Sequence, residues 1–432
     1  MKEDLKLLVI GSGGREHAIA KKLLESPKVD QVYCAPGNPG MTVDRIIPVA
    51  ISELDFQALK GFCLEENIAW TFVGPENALV AGIVDSFEED GLKIFGPKKR
   101  AAQLEGSKDF AMRFMNKYDI PTANFKTFTN SSEAIDALDG FELPLVIKAD
   151  GLAAGKGVVI VNSKVEAKEE IALMFKKGQK QIILSEFLAG PEYSLFVVVG
   201  KNGHQILPMA QDHKRAGDFD SGKNTGGMGA YSPVPQLAKS DYEKMLTTVV
   251  KPTINGLRKE NFDYCGILYI GLILTEKGPK VIEYNVRLGD PETQVVLPRI
   301  ESDFYELIDH ALNNEVLPQV VESDEACLGV VVAADGYPGT YISGQLLPTL
   351  ETTAKIKIDY ANVAEKDELF VGAGGRLLCV LANDATLSEA QADVYAYLAK
   401  SDFKDCVYRH DIGTKATKKY ATDTGEMVEV EK

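Results

Sequence analysis

The chain has 432 residues, 45% of them hydrophobic and 25% charged, and a formal net charge of −16. That length exceeds one hydrophobic core and predicts about two to four domains of ordinary globular composition. The acidic balance argues against nonspecific nucleic-acid binding, which needs a basic footprint, but it allows phosphate ligands at a locally basic site.

The first apolar stretch, residues 6–10, reads as a short buried strand. It is too short for a signal-peptide core or a membrane span, and no later stretch approaches spanning length. Six cysteines (Cys34, Cys63, Cys265, Cys327, Cys379 and Cys406) lack metal-ligand or redox spacing. They are expected to be buried free thiols, and the protein to be soluble and cytoplasmic. A helix at 17–25, a strand at 29–34, a helix at 56–66, a strand at 70–73, a helix at 77–89 and a strand at 93–95 follow. This alternation predicts a parallel sheet with helices on both faces, in a first domain within residues 1–104.

Ser107 reads as the N-cap of a helix to about residue 118, stopped by Ile120-Pro121. A region spanning 105–325 follows. Its smaller α/β unit covers about 123–192, with strands at 145–148, 158–161 and 182–186. The larger unit has a strand at 194–199, a long polar loop at 211–231, a helix near 241–260, strands at 266–274 and 280–286, and a helix around 304–313. The last domain, 326–432, carries strands at 328–333 and 377–381 and a helix over 387–400.

The strand ending Glu283-Tyr284-Asn285-Val286-Arg287 carries the most chemical information. Alternation puts Glu283, Asn285 and Arg287 on one face. A carboxylate, an amide oxygen and a guanidinium in a row are costly to bury without partners. A hard cation bridging phosphates would partner the first two, and an anionic group the third. The alternative is an edge strand with a solvated polar face. Gly11-Ser12-Gly13-Gly14-Arg15-Glu16-His17 lies between a strand and a helix, where its amides could receive a phosphate or ribose, or where the glycines could serve only close packing. Glu16 stands at the third-glycine position, and no acid follows the second strand, so an NAD fingerprint is incomplete. Lys148 ends a strand before Asp150-Gly151-Leu152-Ala153-Ala154-Gly155-Lys156-Gly157, a glycine loop suited either to folding over polyphosphate or to a plain hairpin. Glu186 and Leu188 close another strand, with Glu192 beyond. Asp212-His213-Lys214-Arg215 opens the polar loop, with His213 read as a structural hydrogen-bonder. Arg376 follows a glycine-rich turn and could meet phosphate or solvent.

Taken in order, these segments resemble the ATP-grasp enzymes, and within them the phosphoribosylamine–glycine ligase family, nearly end to end. Arg287-Leu288-Gly289-Asp290-Pro291-Glu292-Thr293-Gln294 is the most specific segment. Lys223, Pro39 and Gly372-Ala373 depart from the family pattern, away from the implied metal and adenine contacts. The resemblance implies an α/β fold with a Rossmann-like N-terminal domain, a two-lobed ATP-grasp region and a small α/β C-terminal domain. It assigns Glu283 and Asn285 to Mg²⁺ or Mn²⁺, Lys108 and Lys148 to ATP phosphates, and Gly151, Gly155, Lys156 and Gly157 to a closing loop. Glu186 and Leu188 would meet adenine through their backbones and Glu192 the ribose. Arg287 would face the acyl-phosphate or the glycine carboxylate, with Lys148 and Asp212 beside it as catalytic residues. Gly11, Gly13, Gly14, Arg15, Glu16, Asn38, Glu76, Lys214, Arg215, Asp290 and Arg376 would serve the substrates. The implied partners are ATP, glycine and 5-phosphoribosylamine, with no nucleic acid or membrane, in a monomer or small homo-oligomer. Rival readings are a different ATP-grasp ligase, an NAD-dependent oxidoreductase, or a nucleotide-binding regulator without turnover.

Overall fold

The computed structural model describes residues 4–152 and 157–417, together with the backbone at 420–421 and 427–428. Its first sheet runs Ile47–Pro48, Val29–Pro36, Leu5–Gly11, Trp70–Val73, Ile94–Phe95, with every neighbouring pair parallel. Leu7, Leu8, Val9 and Ile10 are fully buried. Such an uninterrupted apolar run suits a parallel strand covered on both faces. The first helix, Gly14–Leu24, begins earlier than its apolar periodicity suggests. Glu16 folds back so that its carboxylate accepts the Gly13 N–H at 2.7 Å, which starts the helix among the glycines. The helix expected over 77–89 is two helices, Glu76–Ala81 and Ile83–Glu89. Gly82 parts them at φ +99°, a left-handed conformation that ends the first helix.

Two antiparallel sheets follow. The smaller orders Phe125–Phe128, Ile182–Glu186, Leu145–Ala149, Val158–Val161, and packs helices Ser131–Asp136 and Lys164–Lys176 through Ala134, Ala167 and Ile171. The larger orders Gly203–Ile206, Glu192–Gly200, Gly266–Thr275, Gly278–Asn285. Leu195, Val197, Leu268, Ile270 and Val281 share a core with the helical run Lys239–Met245, Leu246–Val250 and Lys251–Lys259. The middle piece is a π turn just before Pro252, a residue that cannot donate to a regular helical bond.

The polar segment at 211–231 is not a plain loop. Gln211–Asp212 pairs with Gly229–Ser232, which pairs in turn with Ala326–Ala334, Arg376–Asp384 and Ile356–Tyr360 in the C-terminal sheet. Between these edge strands a hairpin, Arg215–Gly217 with Ser221–Asn224, projects outward. Helix Leu387–Lys400, capped by the Thr386 hydroxyl on Glu389 N–H, covers the sheet. The first and last domains meet at His17: its Nδ1 accepts the Tyr360 N–H at 2.9 Å, its Nε2 lies 2.9 Å from Asp44 Oδ2, and its ring stacks on Tyr360.

Glu16 also explains two glycines. A Cβ on Gly11, itself at φ +122°, would lie 2.5 Å from Glu16 Cγ, and one on Gly74 would overlap the carboxylate itself. Gly74→Ala is therefore expected to destabilise the protein by about 1–3 kcal/mol through overpacking. A urea titration checks it, and an unchanged midpoint would show that Glu16 has room to move.

Candidate active site

The site is organised by the end of the edge strand Gly278–Asn285. Its partner pairs are Leu272 with Val281 and then Gly271 with Glu283, so Ile282 is skipped as a bulge before Asn285 pairs with Tyr269. Beyond the bulge, Glu283 and Asn285 share a face, with Asn285 Nδ2 3.5 Å from Glu283 Oε1. Gly271 opposite leaves space for the Glu283 side chain, since a Cβ there would lie 3.3 Å from its Cγ. The row continues through Arg287: Nη2 donates to Asn285 Oδ1 at 3.2 Å and reaches Glu105 Oε1 at 2.8 Å, and Nε donates to Glu76 Oε2 at 3.2 Å. A solvated polar edge is excluded, because Asn285 is only 8% exposed.

Lysines gather at one end of this row. Burial alone would raise the Glu283 pKa, but the charges of Lys214, Lys108 and Lys148 outweigh it and hold the carboxyl below its ordinary value. Burial lowers the Lys148 pKa, with Glu283 offsetting part of the effect. Lys108, in the first turn of its helix, donates to Gly151 O at 2.8 Å and so ties that helix to the start of the glycine loop. Gly157 O accepts Ala149 N–H at 2.7 Å at the loop's far side, while Gly155 and Lys156 lie outside the described residues. Lys214 pairs with Glu192 at 2.7 Å. The carboxylate of Asp212, two residues before Lys214, has no hydrogen bond or ion pair among the described residues. Burial pushes its carboxyl up to about 7 against the pull of Lys214, with Glu292 and Glu192 adding to the rise. The Glu186 carboxylate is taken by Asn124 N–H and Lys280, and Leu188 beyond it is half-buried.

At the other end, the glycine loop meets the turn after Arg287. Gly13 and Gly14 lie against Asp290 and Gln294, so a Cβ on Gly14 would come within 2.9 Å of Gln294 Nε2. The Gly13 amide, expected to be open to a phosphate, is occupied by Glu16. Arg15 Nε sits 2.5 Å from Glu16 Oε1, and its Nη1 donates to Leu288 O at 3.3 Å. Asn38 Nδ2 spans Ser12 O and Tyr360 O, and its buried Oδ1 has no partner among the described residues. Burial would raise Glu76, but Arg287 and Arg15 pull it down to about 2. Arg376 donates to Gly226 O, Asp290 O and the Asp290 carboxylate, at 2.8–2.9 Å, beside a cavity of about 30 Å³ that Gly13, Gly14, Gln294 and Asn362 also line. Two residues do not join this cluster as expected. The Arg215 guanidinium turns back to Gly222 O in its own hairpin, at 2.8 Å. His213 is fully buried, yet neither ring nitrogen has a partner among the described residues, and burial pushes its pKa down to about 3, so it is a neutral packed ring rather than a hydrogen-bonder. Glu105 escaped sequence reading: it reads as an ordinary helical acid, with only its place before the Ser107 cap to mark it.

Among the described residues, no group of three or more His, Cys, Asp and Glu side chains could hold a metal. Glu283 offers hard carboxylate oxygens among the lysines, while Asn285 Oδ1 faces Arg287 and its Nδ2 faces Glu283, so the pair fits a cation bound mainly through nucleotide phosphates once the amide is turned over. No helix of the described residues is long and apolar enough to cross a membrane.

Family models of phosphoribosylglycinamide synthetase match the chain in three pieces: the N domain at residues 5–105, the ATP-grasp (A) domain at 106–293 and the C domain at 327–415. The chain belongs to the phosphoribosylglycinamide synthetase family. A phosphoribosylamine–glycine ligase of Streptococcus suis is 50% identical over 421 residues, covering 96% of this chain and 100% of that protein. The crystal structure of a phosphoribosylamine–glycine ligase from Thermotoga maritima superposes with a TM-score of 0.82 at 36% identity, covering 94% of this chain and 100% of that one. A biotin carboxylase domain from Hydrogenobacter thermophilus, solved with MgADP, shares the fold at a TM-score of 0.72 and 15% identity, covering 93% of this chain and 91% of that one. The expected Rossmann-like, ATP-grasp and C-terminal architecture is thus the family's own.

The raised Asp212 pKa has a stability consequence. Its folded value of about 7 lies above the unfolded value of about 3.9, so the folded chain binds the extra proton between them. This group's contribution to stability therefore falls as pH rises through that window. Asp212→Asn is expected to be more stable than the parent at pH 8, by about 1 kcal/mol after allowance for solvent screening, and nearly equal to it at about pH 3.5, below the unfolded value. Urea titrations at the two values check this, and a pH-independent difference would refute it.

Proposed function

We propose that the chain joins glycine to 5-phosphoribosylamine at the expense of ATP, giving glycinamide ribonucleotide, ADP and phosphate. The observation that carries the residue assignment is the hydrogen-bonded row Glu283–Asn285–Arg287–Glu76, which links the lysine end to the glycine-loop end. Lys108 and Lys148 receive ATP phosphates beside Gly151, where the glycine loop begins, and Lys214 serves the substrates. The Glu186 and Leu188 backbone meets adenine, and Glu192 the ribose. A divalent cation, Mg²⁺ or Mn²⁺, would be held by Glu283 and Asn285 and would neutralise phosphate charge there. Gly11, Gly13, Gly14, Arg15, Glu16, Asn38, Glu76 and Asp290 shape the phosphoribosylamine end. Arg376 serves it by holding the 226–227 turn and Asp290 in place. The six unpaired thiols support a reducing cytoplasm as the compartment.

Glycine's carboxylate is a poor electrophile because its leaving group would be oxide. Transfer of the γ-phosphoryl to a carboxylate oxygen releases ADP and gives glycyl phosphate. The amine of phosphoribosylamine then attacks the acyl carbon, the amide bond forms, phosphate leaves and the amine gives up a proton. Arg287 orients the carboxylate, and Lys148 and its neighbours offset charge on the transferring group. Asp212, with a pKa near working pH, suits the role of proton acceptor. No side-chain nucleophile is needed.

Coupled ADP release with ATP and Mg²⁺, omitting glycine and then phosphoribosylamine, tests the reaction; turnover that ignores either omission would sink it. Glu283→Gln is expected to retain the fold and lose metal-dependent turnover, and near-normal ADP release would remove Glu283 from the metal site. Lys148→Ala is expected to weaken ATP binding by about 1.5–3 kcal/mol, the range for a charge-assisted hydrogen bond. Titration calorimetry reads that number, and an unchanged dissociation constant would place Lys148 outside the phosphate site.

A further inference from the structure

Glu105 lies in the last turn of helix Lys99–Gly106, just before helix Lys108–Lys117 and far in sequence from the 283–292 segment. It is 8% exposed. One of its oxygens accepts the Val286 N–H at 2.7 Å, and the other lies 2.8 Å from Arg287 Nη2. Both contacts fall where the sheet stops. Asn285 is the last residue of the edge strand to find a partner, in Tyr269, and the chain bends away from the sheet at Val286 and Arg287. The Glu105 carboxylate accepts the first amide of that bend. It fixes the bend, so that the Arg287 guanidinium is held beside Asn285 Oδ1. With Glu76 it then brackets the guanidinium from two sides, which stops Arg287 from collapsing fully onto Asn285 Oδ1. Three residues on, Lys108 reaches Gly151 O from the same stretch of chain. A single turn therefore sets the distance between the Arg287 end and the phosphate end of the site.

We infer that Glu105 is a positioning residue for the acyl-transfer end of the reaction: it aims Arg287 by fixing both the Val286 backbone and the guanidinium. The inference rests on the assignment of Arg287 to the glycine carboxylate or its phosphorylated form. Glu105→Gln keeps an acceptor for the Val286 N–H but presents an amide where the guanidinium needs a carboxylate. The expected result is a folded enzyme with kcat at least about tenfold lower and a raised KM for glycine, while KM for ATP stays within about twofold.

A purely structural Glu105 would lower the urea midpoint and leave kcat and glycine KM alone, and that result would overturn the proposal. Arg287→Lys, measured in parallel, separates this inference from the one beneath it. If Arg287→Lys turns over normally, the Arg287 assignment fails. If Arg287→Lys is impaired and Glu105→Gln is not, only the positioning role fails. The double variant decides the route. Should Glu105 act through Arg287, the double variant will be no slower than Arg287→Lys alone; multiplied losses would mean an independent role and would overturn the proposal. If Glu105→Gln does not fold, Glu105→Asp, which keeps the charge but withdraws it by one methylene, carries the same readouts.

Discussion

The molecule depends on how one strand ends. A sheet edge leaves unpaired backbone groups, and here that edge is the place where a carboxylate, an amide and a guanidinium must stand in line. The Ile282 bulge sets their side, Gly271 gives the first of them room, and the Glu105 carboxylate holds the chain past its last paired residue. Asn285 occupies the middle of the line, bonded on one side to Glu283 and on the other to Arg287. Chemistry that must hand a phosphoryl group from nucleotide to acid, and then the acid to an amine, needs its two halves at a fixed separation. A continuous hydrogen-bonded row fixes separation better than independent loops do.

Electrostatics divide the same row. Its lysine end keeps Glu283 ionised despite burial, whereas Asp212, buried and beside two further carboxylates, is driven toward neutrality against the pull of Lys214 and Lys415. Carboxyl groups in one cleft thus have well-separated proton affinities, which is how an enzyme keeps one as an anion and another as a proton carrier. At the opposite end Arg15, Arg287 and Arg376 are each already matched to carboxylates, so the net charge there stays small. An incoming anion would have to compete with protein partners and would not find bare guanidinium groups.

Where a feature is local, the sequence states it. Helices Phe56–Glu66 and Leu387–Lys400 and strand Trp70–Val73 carry their own periodicity and caps, and all three have the bounds the sequence predicts. Glu283 and Asn285 were legible because alternation along a strand needs no knowledge of the rest of the chain. Features set by distant neighbours were not legible. The Gly82 break sits inside a helical pattern, and the strands at 211–212 and 229–232 are too short and polar to show alternation; they exist because the C-terminal sheet offers an edge. Glu105 bonds across more than 180 positions, and the partner of Arg215 and most partners of Arg376 are backbone carbonyls, which leave no trace in side-chain identity.

The borrowed edge of the C-terminal sheet has a consequence for how the chain is divided. Family boundaries assign residues 106–293 and 327–415 to different modules, yet strands from the first complete the sheet of the second. Arg409 reinforces the join, reaching Asp220 and the Arg215 carbonyl from the last domain. Asp212 and Lys214 stand on that shared edge. Units inherited as separate pieces are therefore not separable as objects: a chimera spliced at the inherited seam would import a foreign sheet beneath Asp212 and Lys214.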